Sequence, residues 1–126
     1  MFLPHAHPAP GSAQEREFQR QHEEIFGTLE SVRVHRERSS RSRLVLAYDE
    51  FLACTKAHFQ AEELLLARCE PPRLPAHLSA HQVILRRALA LRDRIEQLDP
   101  AQLLLQLQIV EGWLTDHSID EGARLI

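Results

Sequence analysis

Apolar residues recur every three or four positions along most of the chain, and no window alternates with period two. Four stripes emerge. The first is Phe18, His22, Ile25, Leu29 and Val32, and the second is Leu44, Ala47, Phe51, Cys54, His58, Glu62 and Leu65. The third is His77, His81, Ile84, Ala88, Leu91 and Ile95, and the fourth is Leu103, Leu107, Val110, Leu114, His117 and Glu121. Each spacing fits one face of an α-helix.

The breaks between stripes carry their own signals. Ser12-Ala13-Gln14-Glu15 reads as a capping box opening the first helix. Arg38-Ser39-Ser40-Arg41-Ser42 interrupts the pattern, and a second helix is expected from about Ser42 to Arg68. Pro71, Pro72 and Pro75 end it, and Pro75 suits the first turn of the third. Asp99-Pro100 is an N-cap followed by proline at the first helical position, opening the fourth, and Gly122 lies near its end. Residues 1–11 hold three prolines, Gly11, His5 and His7, and read as a non-helical arm. The expected fold is all-α, an antiparallel up-down-up-down four-helix bundle over residues 12–126 behind that arm.

The stripes are not wholly apolar. His22, His58, Glu62, His77, His81 and His117 occupy positions that face a core, while His35 falls off its stripe and reads as a solvated surface histidine. In an up-down bundle the start of the first and third helices meets the end of the second and fourth. All these polar members then fall in one half of the interior. Burying a lone carboxylate among apolar side chains costs several kcal/mol, so buried charges are paired or metal-bound. Five histidines and Glu62 converging at one depth point to metal.

Composition narrows the chemistry further. At 126 residues the chain suffices for one domain with one core. Its 44% hydrophobic and 26% charged content is ordinary for a globular protein, and a formal charge of -3 without basic runs gives no support to nucleic-acid binding. No apolar run is long enough to span a membrane and no leader-like segment is seen. Cys54 and Cys69 form no CxxC pair; Cys54 reads as a small core residue, and a reducing, cytoplasmic setting is expected. A histidine-rich site with one carboxylate suits iron, zinc, copper or nickel better than magnesium or calcium. Six ligands exceed the four of a closed zinc site, and two ions sharing Glu62 fit the count better. The chain has no Glu-x-x-His motif, which disfavours a ferritin-like site, and Phe26 breaks a His-Glu-x-x-His reading of His22 onward.

Gln21-His22-Glu23-Glu24-Ile25-Phe26, His58-Phe59-Gln60-Ala61-Glu62-Glu63, His77-Leu78-Ser79-Ala80-His81 and Trp113-Leu114-Thr115-Asp116-His117 together resemble hemerythrins, in particular bacterial hemerythrin-like domains. The resemblance spans nearly the whole chain after the arm. It implies two iron ions with an oxo or hydroxo bridge. His77, His81 and His117 would hold one, and His22 and His58 the other, which keeps an open position for O2 or a small anion. Glu62 would bridge them. It also implies an apolar lining, for which Ile25, Phe26, Phe59, Trp113, Leu114 and Ile119 are candidates alongside plain core packing. The family's second bridging aspartate, five residues after the last histidine, is here Gly122, which offers no ligand. Three expectations stand for that position: Glu121 substitutes, solvent or an anion fills it, or Asp120 and Glu121 are solvated at the helix end. The implied function is O2 binding for storage, delivery or sensing, without turnover. Peroxide or nitric oxide chemistry, an iron-holding or iron-sensing bundle, and a metal-free helical interaction module are the other readings. No protein partner is indicated.

Overall fold

The fold is seen in a computed structural model that describes residues 13–38 and 41–123, with side chains described no further than His117. Four helices account for nearly all of them: α1 Ala13–Arg38, α2 Arg41–Cys69, α3 Leu74–Arg94 and α4 Pro100–Ala123. Short 3-10 turns, Pro71–Arg73 and Ile95–Gln97, precede α3 and α4. No strand occurs among the described residues. The arm and the Ser12 cap lie outside the described residues.

Local chemistry sets the helix ends. The Asp99 carboxylate accepts from the Gln102 backbone N–H at 2.8 Å, and the Gln102 side chain accepts from the Asp99 N–H at 3.0 Å. This reciprocal pair satisfies two orphan donors where α4 begins. At the end of α2, Glu70 is buried, with one oxygen taking a hydrogen bond from Arg73 at 2.6 Å. That contact closes the proline turn onto the helix it terminates.

α1 and α3 each pack against α2 and α4. Specific contacts place the helices along one another. Tyr48, early in α2, donates its hydroxyl to the Ala88 carbonyl, late in α3, at 2.6 Å. Arg92 of α3 pairs with Asp49 of α2 at 2.7 Å, and Arg33 of α1 pairs with Glu111 of α4. His58, late in α2, meets His22, early in α1, while His81, early in α3, meets His117, late in α4.

Stripe residues of all four helices fill the core; Leu29, Val32, Leu107 and Ile95 are fully buried. α2 buries more than one stripe, adding Tyr48, Leu52, Thr55, Phe59 and Leu66, because it has neighbours on two sides. Cys54, expected in the core, is half-buried and packs against it; its Sγ lies 3.3 Å from Glu24. His35, expected in solvent, is half-buried beside a cleft of about 280 Å³ where Arg41 and Pro100 begin their helices. No described helix is long and apolar enough to cross a membrane.

Tyr48 is fully buried, and burial pushes its hydroxyl well above the usual tyrosine range. Tyr48→Phe removes one buried hydrogen bond without opening a cavity. A loss of about 1 kcal/mol is expected. Urea unfolding should show a lower midpoint with an unchanged slope.

Candidate metal centre

Glu62 sits at the middle of the interior, 1% exposed. Its residue spacing from His58 is one helical turn, so both side chains leave the same face of α2. One oxygen, Oε1, is 2.5 Å from His58 Nε2. The other, Oε2, is 3.8 Å from His117 Nε2 and 3.9 Å from His81 Nε2. The carboxylate thus faces two separate histidine pairs, one with each oxygen.

Each pair is tight. His22 Nε2 lies 2.8 Å from His58 Nε2, and His81 Nε2 lies 3.0 Å from His117 Nε2. Two imidazole nitrogens bound at right angles to one ion, each at about 2.1 Å, stand about 3 Å apart. The donor atoms fall into two groups, His22 with His58 and Glu62, and Glu62 with His81 and His117; within each group they lie within 4.8 Å of one another. Glu62 is common to both.

The structure therefore brings together His22, His58, Glu62, His81 and His117. His77 is buried beside them but outside the close group, with its ring 5.8 Å from those of His81 and His117. Its position one turn before His81 accounts for this, since four residues of helix rise about 6 Å. The side chains of Asp120 and Glu121, and Ile119 among the lining candidates, lie outside the described residues.

Outer partners fix which ring nitrogen faces inward. His58 Nδ1 lies 2.7 Å from Gln21 Oε1, and the Gln21 amide nitrogen lies 3.3 Å from Glu17. Glu17 in turn takes two hydrogen bonds from Arg20, which hold its carboxyl down at about 2. An ionised carboxylate only accepts, so the Gln21 NH2 faces Glu17 and its oxygen faces His58. His58 then donates from Nδ1 and presents a lone pair on Nε2. On the other side His81 Nδ1 lies 2.7 Å from Glu63 Oε2. Burial pushes the Glu63 carboxyl up, and nearby His77 pulls it back. Such Nδ1 partners are the usual companions of metal-binding histidines.

Aromatic contacts hold the rings in place. Phe59 stacks on His81 with centroids 3.9 Å apart and planes 2° apart, and meets His117 edge-on at 5.6 Å. Phe18 meets His58 edge-on at 5.4 Å. Of the expected lining, Ile25, Phe59 and Leu114 are buried, and Trp113 lies under the Arg87 guanidinium at 4.8 Å. Sequence reading did not assign roles to Gln21 and Glu63. Each stands one residue from a stripe member, His22 or Glu62, and that adjacency was the available signal.

Each of the two groups could hold a cation. Lone pairs from four imidazoles and both oxygens of one buried carboxylate converge in a dry interior, and nitrogen-rich sets of this kind favour iron, zinc or copper over magnesium or calcium. Comparison with known families gives the same direction: the family model of the hemerythrin HHE cation binding domain matches residues 15–121. Nothing matches among curated proteins or solved structures.

Proposed function

Since the chain belongs to the hemerythrin HHE cation-binding family, we propose that it is a non-haem di-iron protein that binds O2 for storage, delivery or sensing. One observation carries the reading: Glu62 is buried with its two oxygens turned to two different histidine pairs. A carboxylate in that position joins two ions more naturally than it serves one. The helix arrangement belongs to the same reading. An up-down-up-down course explains why the early part of α1 meets the late part of α2, and the early part of α3 the late part of α4.

In this reading His22 and His58 would hold one ion, and His81 and His117, joined by His77, would hold the other. Glu62 bridges. A ferrous pair held there would supply the electrons for binding O2 and take them back when it is released. The protein's own contribution is placement and exclusion. Gln21 and Glu63 keep the Nε2 lone pairs of His58 and His81 turned inward. Phe59, Ile25 and Leu114 keep water from the centre, which slows loss of the bound gas to side reactions. The protein is read as a cytoplasmic binding module; the cysteines Cys54 and Cys69, both free of disulfides, suit a reducing compartment.

The test is metal content followed by air. Protein purified from iron-replete cells should carry two irons per chain. Air added to the anaerobic ferrous form should raise a charge-transfer band that disappears under vacuum. Absence of iron, or immediate bleaching, removes the reading.

A second reading rests on Gly122, which brings no carboxylate to the place where the family has a second bridge. With one anion fewer, the ions are held less tightly and the reduced state is favoured. Peroxide or nitric oxide chemistry, or a single-metal site, follows from that. Gly122→Asp is expected to raise iron retention against a chelator by about tenfold, the scale of one added partner at a metal. Unchanged retention and unchanged oxygen lifetime exclude Gly122 as the determinant.

A further inference from the structure

The two histidine pairs are backed by groups of different charge. Behind His58 stands the neutral amide of Gln21, and the carboxylate beyond it, Glu17, is already bound by Arg20 at the surface. Behind His81 stands the carboxylate of Glu63 itself, 2.7 Å from Nδ1, three-quarters shielded from solvent. A hydrogen bond to an ionised acceptor is roughly twice as strong as one between neutral groups, and it pushes electron density toward the far ring nitrogen. The far nitrogen is the one that faces the centre. Glu63 therefore makes His81 a stronger donor to a cation, whereas Gln21 orients His58 without adding charge.

We propose that Glu63 and Gln21 are positioning residues that make the two metal positions unequal, so that the His81–His117 position fills first and the His22–His58 position second. This rests on the two-ion reading above. It follows that the position with the open site is the weaker one, the first to lose its ion when metal is scarce. Occupancy of that position then tracks metal supply while the other stays loaded.

The test uses the full-length, metal-free chain titrated anaerobically with Co2+, followed by calorimetry and by the visible cobalt bands. The native chain should bind two ions in separate steps. Glu63→Gln keeps the shape and removes the charge; it should weaken the first step about 10- to 100-fold, the range for loss of an outer partner, and leave the second within about threefold. Gln21→Glu should tighten the second step and bring the two together. The melting temperature of each metal-free variant checks that the fold is kept. A chain that binds two ions equally tightly, or a Glu63→Gln variant that weakens both steps alike, overturns the inequality but leaves the two-ion reading standing. Native protein that binds fewer than two ions overturns both.

Discussion

Glu62→Gln is expected to leave the chain folded and unable to hold two ions. The carboxylate is 1% exposed and faces both histidine pairs, so its charge has no solvent to support it. An amide of the same size keeps the packing but loses the charge that balances two cations, and its NH2 end faces imidazole lone pairs. If the two-ion reading holds, bound metal should fall from two ions per chain to one or none. Stability should also fall in the metal-free protein. There the Glu62 carboxylate lies 2.5 Å from His58 Nε2 in a dry interior, so the substitution breaks a buried pair, and the metal-free variant should melt below the metal-free native chain. Loading gives the converse comparison. An ion present at a thousand times its dissociation constant stabilises by about 4 kcal/mol. For a domain of this size that corresponds to a shift on the order of 10 °C or more per ion. A chelator should therefore lower the melting temperature of the loaded native protein sharply and that of Glu62→Gln little. A variant that keeps both ions with unchanged affinity would sink the bridging role.

Phe59→Ala should produce the second large effect, and it should act on stability and metal affinity together. Phe59 is 2% exposed, and its ring lies flat on His81 while its edge meets His117. Truncating a buried phenylalanine costs about 3–5 kcal/mol through lost transfer energy and the cavity left behind. Here the cavity borders two donor rings, which then sample more orientations. Cobalt affinity of the folded protein should fall on the order of tenfold, comparable to loss of an orienting partner. Leu107→Ala is the control. Leu107 is fully buried and belongs to the apolar core. It should lose a similar 2–5 kcal/mol with metal affinity of the folded fraction unchanged. Equal affinity losses in both variants would show that Phe59 acts only through general packing.

Much of this arrangement is written in the chain at a period of 3.6. The stripes give each helix and place His22, His58, Glu62, His81 and His117 on inward faces, because a side chain's direction on a helix follows from its register. Asp99-Pro100 marks the start of α4 for an equally local reason, although the returning bond from Gln102 becomes visible only in the fold. What register does not give is height. His77 shares a stripe with His81, yet stands a turn away from the close group. The second buried row of α2, with Tyr48, Leu52, Phe59 and Leu66, depends on how many neighbours that helix has, which no single-helix pattern records. Gln21 and Glu63 look like solvated polar residues until a ring from another helix arrives beside them.

His22 and His58 are 36 positions apart, and so are His81 and His117. Each close contact is thus made inside one half of the polypeptide, between consecutive helices, with the Pro71–Arg73 turn as the seam. The halves are not equivalent, because Glu62 belongs to the first alone. The first half brings His22, His58 and Glu62 to the cluster, whereas the second brings His81 and His117, with His77 a turn away, and among the described side chains the carboxylate that faces the Nε2 atoms of His81 and His117 is Glu62. Among the described side chains, then, the histidines of the later half meet a carboxylate where the two halves come together.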